Sequence, residues 1–589
     1  MKKPLPSFLQ YSLWGIWLLL GIFLLYIGLY TYHTAYEQFA TVLLQTVHKL
    51  DWRPYFEQAV LPQARYALLP YLLGTLFVFW LLLSPWYLHK SQYWSRFLAL
   101  FYTTHKQQQA NFWRTRSQVE KGFLVLIIGL AVVRMLYYMG HYALQYDEAW
   151  TYNHFVSNGF VVAAISPNNN HILYTLLACL SDYLPIDGQY SLRCPVAIGG
   201  IWLLLVFYKF ARQIGSSYWA LLGLAFLAFA PAASLYSLYA RGYIFQLLFT
   251  IIAIAATWHL VTAKRRLYYH WTWWIIAHVL GLYSVPTHAY VVIITSIFLF
   301  WKGWGSMPFS KKWLQANFII TICLAILYAP FFITNGAQVL WTAASQEPNG
   351  EALWAYQDKV ADWLLWGGGR GTPVYGIWLG LVAVLGAVYY YNKKHTTTIR
   401  PLAQLVILFL LFPTLLNGLT GAQPPYRIWC FLGPVLALWT VLIGQAIAPY
   451  WQQHKQLTLA VFMIIGGYSW RMQQHYALQW SAQLDWQVRS MAEQLLEADI
   501  RHCYLFSNYD KPLLEYYYLR QGKRIRISMS SPQSKDFAPF EQWPLYEAVL
   551  WDAEDRIASP QERAWLEQYY PLVIYTDTRI QIHLPKPVE

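Results

Sequence analysis

Long apolar runs recur along this chain as far as about residue 470, and they decide what it can fold into. Many approach ~20 residues, the length that an α-helix needs to cross a bilayer. Hydrophobic residues make up 57% of the sequence and charged residues 12%, unlike the balance of a soluble protein. We therefore predict a polytopic α-helical membrane protein with about thirteen transmembrane helices. The predicted spans are 12–32, 67–88, 122–142, 195–210, 217–235, 243–261, 271–284, 286–301, 313–332, 373–391, 401–418, 428–449 and 457–470.

Two of these spans, 271–284 and 286–301, are short and adjacent. Only the motif "SVPTH" separates them. The sequence leaves open whether the chain reverses as a hairpin or continues as one broken helix.

Lys and Arg collect in alternate loops, as expected of cytoplasmic loops. When the spans are threaded in turn, every cluster falls on the same side. The threading places the N-terminus in the cytoplasm and the segments 33–66, 143–194, 333–372 and 471–589 on the outer face. The first span is too long for a cleaved signal and lacks a small-residue cleavage site. The clusters also account for the net charge of +14, so that the charge gives no reason to expect nucleic acid as a partner.

The last 120 or so residues have a different composition, in which charges and turn residues return. Five segments are typical of short strands: "CYLFSN", "RIRISM", "AVLWD", "LVIYTD" and "IQIHL". The segment "SPQERAWLEQYY" predicts a helix with Ser559 as N-cap and Glu562 completing a capping box. We predict a small C-terminal extracytoplasmic α/β domain at 471–589, a main transmembrane domain at 121–470, and an additional N-terminal transmembrane hairpin with a basic cytoplasmic loop at 1–120.

Several function classes lack their usual motifs. The five cysteines show no paired or metal-type spacing. The sequence contains no HExxH motif, no P-loop and no G-x-S-x-G elbow. ATP-driven transport and serine hydrolysis are therefore poorly supported.

Polar residues gather instead at the predicted outer ends of the spans. Asp147 and Glu148 form an acidic pair in "YDEAW", and charged groups close to lipid are often functional. Several cationic or ionisable residues lie at the same face, in "NNNHILYTLL", "LRCPVAIGG", "YARGY", "SVPTH" and "PPYRIW". The candidate residues are His171, Arg193, Arg241, Tyr243, His288 and Arg427. A carboxylate pair with several cations suits a reaction on a lipid-linked anion, because guanidinium groups bind phosphate through a planar fork of donors.

Each candidate also has a structural explanation. An acidic pair after a span is often a helix end meeting water, and outer arginines such as Arg134 and Arg193 often extend to lipid headgroups. His171 and His288 are each compatible with a hydrogen bond to a nearby backbone carbonyl. Arg241 and Arg427 are harder to explain in this way, because each lies in a tight outer turn without an acid nearby in the sequence.

The order of these motifs resembles that of the membrane-integral C-type glycosyltransferases. It is most similar to glycosyltransferase family 39, which includes protein O-mannosyltransferases and the aminoarabinose transferase of lipid A. The resemblance covers roughly residues 121–589. It implies an enzyme that transfers a sugar from a polyprenyl phosphate to an acceptor outside the membrane, either a protein, a lipid or a glycan.

The resemblance also implies roles for individual residues. Asp147 matches the catalytic base of the family, and Glu148 would organise the same site. Arg241 and Arg427 match the arginines that bind the lipid phosphate. His171, Arg193, His288 and Tyr243 are assigned to the same phosphate site. Many relatives carry a further acid just before the "R-x-Y" arginine, and "SLYARGY" has none, so a divalent metal is possible but lacks a clear ligand set, and no other cofactor is expected.

The proposed roles are chemically coherent. A carboxylate takes the proton of an acceptor hydroxyl as it attacks, while the arginines stabilise the charge of the leaving phosphate. Attack opposite the phosphate inverts the anomeric carbon. A transporter or flippase of lipid-linked sugars and a non-catalytic membrane assembly protein stay open as alternatives. The N-terminal "MKK" and the modest loops favour a bacterial inner membrane, with the C-terminal domain in the periplasm.

Overall fold

A computed structural model describes residues 5–46, 57, 62–141, 144–166, 170–263, 267–335, 353–366, 380, 386, 399–421, 423–451, 467, 482–505, 511–529, 547–552, 564, 567–576 and 580–585. Within this part of the chain, eight helices are long and apolar enough to cross a membrane. They are α1 (Leu5–His33), α3 (Gln63–Arg114), α4 (Gln118–His141), α8 (Gly188–Ile214), α11 (Tyr243–Thr262), α14 (Met307–Asn335), α16 (Ile399–Thr420) and α17 (Leu432–Trp451), the last preceded by the 3-10 helix Tyr426–Phe431.

Shorter helices connect these spans or lie beside them. They are α2 (Tyr36–Thr46), α5 (Tyr146–His154), α6 (Gly159–Ile165), α7 (Ile172–Asp182), α9 (Ser217–Phe229), α10 (Pro231–Tyr236), α12 (Leu267–Ser284), α13 (Ala289–Gly303), α15 (Leu353–Trp366), α18 (Ala482–Glu497) and α19 (Lys511–Arg520). The centre of the bundle is α11, which is apolar on all sides and packs against α8, α12, α13 and α17. A helix without a polar face is stable only when neighbours cover it all round.

Eight of the predicted spans coincide with the eight long apolar helices. The predicted spans 217–235, 271–284 and 286–301 are also helices, α9, α12 and α13, but they do not meet the same criteria of length and hydropathy. Apart from the single residues 380, 386 and 467, the predicted spans 373–391 and 457–470 lie outside the described residues. The structure therefore shows a helical membrane protein, while thirteen spans are not confirmed.

The chain forms a hairpin at "SVPTH" rather than one broken helix. Val285 has an extended backbone, and α13 begins after the 3-10 turn Pro286–His288. His278 on α12 and Thr295 on α13 then meet side by side, with 2.9 Å between Nε2 and Oγ1. In a continuous helix these residues would be ~25 Å apart, so the chain must reverse.

The N-terminal hairpin consists of α1 and α3, which pack along one another. The Trp80 ring lies against Gly21, where a Cβ would clash with it, and its Nε1 donates to the Trp17 carbonyl at 3.0 Å. The segment predicted as a cytoplasmic loop after residue 88 is helical as far as Arg114, because α3 continues through it as a single helix of 52 residues. Its cytoplasmic location stays a prediction. The second half of α3 is held to the main bundle by contacts such as the 3.0 Å hydrogen bond between Thr104 and Tyr268.

The five segments predicted as strands all contain strands. They are β1 (His502–Leu505), β2 (Arg526–Met529), β3 (Ala548–Asp552), β4 (Leu572–Thr576) and β5 (Ile580–Leu584). They form one mixed sheet in the order β2-β1-β3-β5-β4, in which β1 is parallel to β2 and β3 while β5 is antiparallel to β3 and β4. Most of the predicted helix at "SPQERAWLEQYY" lies outside the described residues.

The C-terminal part of the chain contacts the short helix that carries the acidic pair. Asn153 on α5 donates through Nδ2 to the Pro512 carbonyl at the start of α19, at 2.7 Å. The rings of Tyr152 and Tyr516 meet edge to face with 5.0 Å between their centroids. These buried contacts fix α5 between the membrane helices and α19.

Candidate active site

The acidic pair lies in the first turn of α5, where the partial positive charge of a helix N-terminus stabilises carboxylates. Gln145 and Glu148 form a capping box, in which Glu148 Oε2 accepts the Gln145 backbone N–H at 2.9 Å. This local pattern starts the helix at Tyr146 and orients the two acids differently.

Glu148 points into the protein and is fully buried. Its Oε1 and Oε2 accept from Arg193 Nε at 3.0 Å and Nη2 at 2.7 Å, as a bidentate pair. Oε1 also accepts the Ala240 backbone N–H at 2.8 Å. Arg193, equally buried, donates in addition to the Met139 carbonyl at 2.9 Å. This ion pair joins α4, α5, α8 and the turn that contains Arg241.

Asp147 points the other way and keeps 15% of its side chain exposed. Its Oδ2 accepts from Tyr239 Oη at 3.0 Å and from Arg427 Nη1 at 3.3 Å. The Arg427 side chain is 45% exposed. Burial, and then the negative charge of Asp147, raise the pKa of Tyr239 well above its ordinary value, which keeps the phenol neutral and able to donate. The two adjacent acids therefore lie in opposite environments.

Arg241 lies next to Asp147, with its side chain fully buried. Its Nη1 donates to Thr151 Oγ1 at 3.2 Å, and its Nη2 lies 3.4 Å from His171 Nε2. The Gly242 backbone N–H donates to His171 Nδ1 at 2.7 Å, which assigns the ring proton to Nε2 in the neutral imidazole. Gly242 is required there, since a Cβ would meet the imidazole within 3 Å.

Burial lowers the pKa of His171 well below its ordinary value, and the guanidinium groups of Arg241 and Arg427 lower it further. The imidazole is therefore neutral at physiological pH. Two guanidinium groups and the Nε2–H of His171 form a donor-rich cluster next to Asp147. Such an arrangement binds an anion, most simply a phosphate oxygen.

The predicted residues lie in three places: a cluster around Asp147, a buried ion pair, and the hairpin between α12 and α13. Asp147, Arg241, Arg427, His171 and Tyr243 lie in one cluster, in which the Tyr243 ring packs edge to face on His171 with 4.8 Å between centroids. Glu148 and Arg193 form the buried ion pair behind it.

His288, predicted with the cluster, lies fully buried between the hairpin helices. Its Nε2 is 3.4 Å from His278 Nδ1, and its ring lies directly over Gly281. The described contacts thus connect it with α12 and not with the arginine cluster.

Tyr239 is the site residue that the sequence interpretation missed. It contacts Asp147 directly and stands two positions before Arg241, in the motif already singled out. Its position in that short motif was the available signal, but a membrane protein with 47 tyrosines offers many equivalent candidates. Among the described residues, no three His, Cys, Asp or Glu side chains come together as a possible metal site.

Substitution of His171 by Asn is expected to change how stability depends on pH. Because the folded-state pKa of His171 is depressed, the unfolded chain binds a proton first as the pH falls below ~6.5. Below this pH, His171 should lower the free energy of unfolding of wild type by up to ~1.4 kcal/mol per pH unit. His171→Asn should remove this contribution to the pH dependence. Chemical unfolding across this pH range measures it, with the exposed His141→Asn as matched control. Equal slopes in wild type and His171→Asn would contradict the assignment of a neutral buried imidazole.

Comparison with known proteins agrees with this architecture. No model of a known protein family matches the sequence, and no curated protein matches it either. The crystal structure of ArnT from Cupriavidus metallidurans in the apo state matches 79% of this chain and 98% of its own, with a TM-score of 0.51 and 13% sequence identity. The same protein bound to undecaprenyl phosphate matches 78% of this chain and 98% of its own, with a TM-score of 0.50 and 13% identity. An oligosaccharyltransferase from Archaeoglobus fulgidus matches 78% of this chain and 73% of its own, with a TM-score of 0.47 and 12% identity.

The ArnT matches extend over nearly the whole of that protein and include most of this chain. At 13% identity they establish the fold. The chain has the fold of the membrane-integral C-type glycosyltransferases.

Proposed function

We propose that this protein is an integral-membrane glycosyltransferase, which moves a sugar from a polyprenyl-phosphate donor to an acceptor on the extracytoplasmic face, with inversion. The observation that carries the proposal is the contrast between the two adjacent acids. Glu148 is buried with its acceptor sites occupied, while Asp147 is accessible and lies beside two guanidinium groups. One acid is thus available for proton transfer next to a site for an anion.

Asp147 acts as general base in this proposal. A carboxylate within hydrogen-bond reach of an acceptor hydroxyl takes its proton as the hydroxyl oxygen attacks the anomeric carbon. The bond from that carbon to the phosphate oxygen breaks in the same step, so the leaving group departs as polyprenyl phosphate. A phosphate leaving group needs no general acid, so one carboxylate is sufficient.

Arg241, Arg427 and the Nε2–H of His171 bind the phosphate of the donor in this proposal. Both guanidinium groups contact Asp147, and His171 lies beside Arg241. Charge that develops on the phosphate oxygen is stabilised by donors fixed before the reaction. Tyr243 holds the His171 ring from the side. The undecaprenyl phosphate bound by ArnT supports a polyprenyl-phosphate donor in a site of the same fold.

Glu148 keeps the organising role expected from the sequence, and Arg193 receives a positioning role in place of the phosphate-binding role predicted for it. The Arg193 guanidinium and the Glu148 carboxylate are both completely buried, which leaves no surface for a substrate. The pair instead fixes the start of α5 against the turn before Arg241 through the Ala240 N–H. His288 has no part in phosphate binding in this proposal.

The donor and acceptor meet at the outer membrane face because α5 and its neighbours lie at the predicted outer ends of the spans. The arrangement of Lys and Arg supports an N-terminus in the cytoplasm and a sheet-containing C-terminal part outside. A bacterial inner membrane with a periplasmic acceptor suits this orientation.

Replacement of Arg427 by Gln is expected to lower kcat/KM for the donor by about 10- to 100-fold. A hydrogen bond to a charged group contributes ~1.5–3 kcal/mol, and the neutral amide offers the phosphate no charge. The measurement is steady-state transfer with varied donor concentration. Arg501→Gln, an exposed arginine near β1, is the matched control. A donor kcat/KM equal to that of wild type would remove Arg427 from the phosphate site.

The overall proposal is tested by the release of free polyprenyl phosphate from a panel of polyprenyl-phosphate sugars. Purified protein in liposomes, supplied with candidate acceptors, should release polyprenyl phosphate from one donor and label the acceptor. A flippase would move the donor between leaflets without releasing it, and an assembly protein would do neither. Translocation without release therefore contradicts the proposal.

A further inference from the structure

A cavity of about 420 Å³ lies at the junction between the membrane helices and the C-terminal part of the chain. Its walls come from the ends of α4 and α8 on one side and from α18 and α19 on the other. Cavities of this size are typical of small-ligand sites. None of the residues of the phosphate cluster lines it, so it is a separate site.

The junction around the cavity has a defined geometry. Arg520 at the end of α19 donates to Asp182 Oδ1 at 2.9 Å and to Tyr152 Oη at 3.2 Å. Gly188 at the start of α8 allows this approach, because a Cβ there would lie 2.4 Å from Arg520 Nε. The cavity is therefore bordered by helices that are tied to one another.

The side chains that line the cavity are polar, planar and balanced in charge. They combine charged groups with the carboxamides of Gln189 and Gln521 and the phenol rings of Tyr190, Tyr516 and Tyr517. The two arginines are each paired with an acid, Arg489 with Glu493 at 3.1 Å and Arg520 with Asp182 at 2.9 Å.

This chemistry selects a class of ligand. Because the charges balance, the cavity does not concentrate phosphate as the arginine cluster does, and few aliphatic side chains line it to receive a lipid chain. A sugar presents many hydroxyl groups that donate and accept hydrogen bonds, and rings of tyrosine offer it flat apolar faces. We propose that this cavity binds a neutral saccharide unit of the acceptor.

The cavity wall also contacts the helix that carries Asp147. Tyr516 packs on Tyr152, and Arg520 donates to the same side chain. Tyr152 stands five residues after Asp147, which corresponds to ~7.5 Å along the axis of α5. A saccharide in the cavity is thus held close to the reacting hydroxyl of the same acceptor. This inference rests on the proposed function for its acceptor, although binding itself does not need catalysis.

The first experiment measures binding without turnover. Neutral disaccharides of glucose, galactose, mannose and N-acetylglucosamine are tested by saturation-transfer NMR on protein in nanodiscs, since maltoside detergents would themselves supply a disaccharide. Wild type and Asp147→Asn should bind the same member of the panel. Gln189→Ala/Gln521→Ala should bind it about ten-fold more weakly, and Gln521→Trp, which fills the cavity, should not bind it. Gln494→Ala removes the same group from α18 outside the cavity and should bind as wild type does.

The second experiment measures transfer to an acceptor that contains the bound sugar. The Gln189→Ala/Gln521→Ala variant should raise the acceptor KM about ten-fold while kcat and the donor KM stay unchanged, which a merely structural defect would not produce. Lack of binding by the whole panel overturns the proposal, as does equal binding by the Gln521→Trp variant. Binding of an unglycosylated peptide in place of the saccharides also overturns it.

The two proposals fail in different ways. Saccharide binding without any release of polyprenyl phosphate would contradict the glycosyltransferase and keep the cavity. Normal transfer by Gln521→Trp at unchanged acceptor KM would contradict the cavity and keep the glycosyltransferase.

Discussion

Asp147→Asn is expected to lower kcat by about 10²- to 10⁴-fold, the usual contribution of a general base. The amide has the same shape as the carboxylate and keeps an oxygen for the hydrogen bonds from Tyr239 and Arg427. It has no capacity to take the proton of the acceptor. The polyprenyl-phosphate sugar should still bind, because the hydrogen-bond donors of Arg241 and His171 remain in place. Steady-state transfer and donor binding, measured on the same preparation, separate these effects.

The control for this variant is Asp499→Asn, which makes the same chemical change at an exposed acid before β1. It should transfer at the rate of wild type. If Asp147→Asn kept more than a tenth of the wild-type kcat with an intact fold, then another group takes the proton and the assignment of Asp147 is wrong.

Glu148→Gln is expected to destabilise the folded protein by about 3–5 kcal/mol, although it retains the size of the side chain. The amide leaves the buried charge of Arg193 uncompensated. It also turns an NH₂ group towards donors, since both carboxylate oxygens accept hydrogen bonds from N–H groups. Chemical unfolding in detergent should show the loss, and activity per folded molecule should fall as α5 loses its position.

An exposed pair provides the comparison. Glu493→Gln makes the same change in the pair with Arg489, where both side chains are more than half exposed. Exposed pairs of this kind contribute less than about 1 kcal/mol, so this variant should unfold much as wild type does. A Glu148→Gln variant as stable as Glu493→Gln would show that the Arg193–Glu148 pair does not hold the site together.

Much of the fold followed from local sequence patterns. The long spans are apolar over a whole bilayer thickness. The five strand segments are short apolar or alternating runs between turn residues, so each pattern is visible without its neighbours. The continuation of α3 to Arg114 was not visible in this way. Hydropathy falls after residue 88, while the hydrogen-bonded helix continues and is held by contacts with α12.

The sequence predicted which residues belong to the site. It did not predict which of them are buried and which are accessible. Asp147 and Glu148 are adjacent, and nothing local says which one is buried. That depends on Arg193 and Ala240, which stand 45 and 92 residues away from Glu148. The partner of Asp147, Arg427, is 280 residues distant. His288 was assigned to the cluster from its position near an outer turn, but the hairpin at Pro286 turns it towards His278.

In the proposed mechanism, an acceptor deprotonated by Asp147 displaces polyprenyl phosphate in a single step. The anomeric configuration of the product tests this most directly, measured by NMR after transfer from a donor of known configuration. Inversion is the expected result, because in the proposed site the acceptor attacks from the side opposite the phosphate, which Arg241 and Arg427 would bind. Retention would require a second displacement through a covalent intermediate, and it would contradict the role of Asp147 as base.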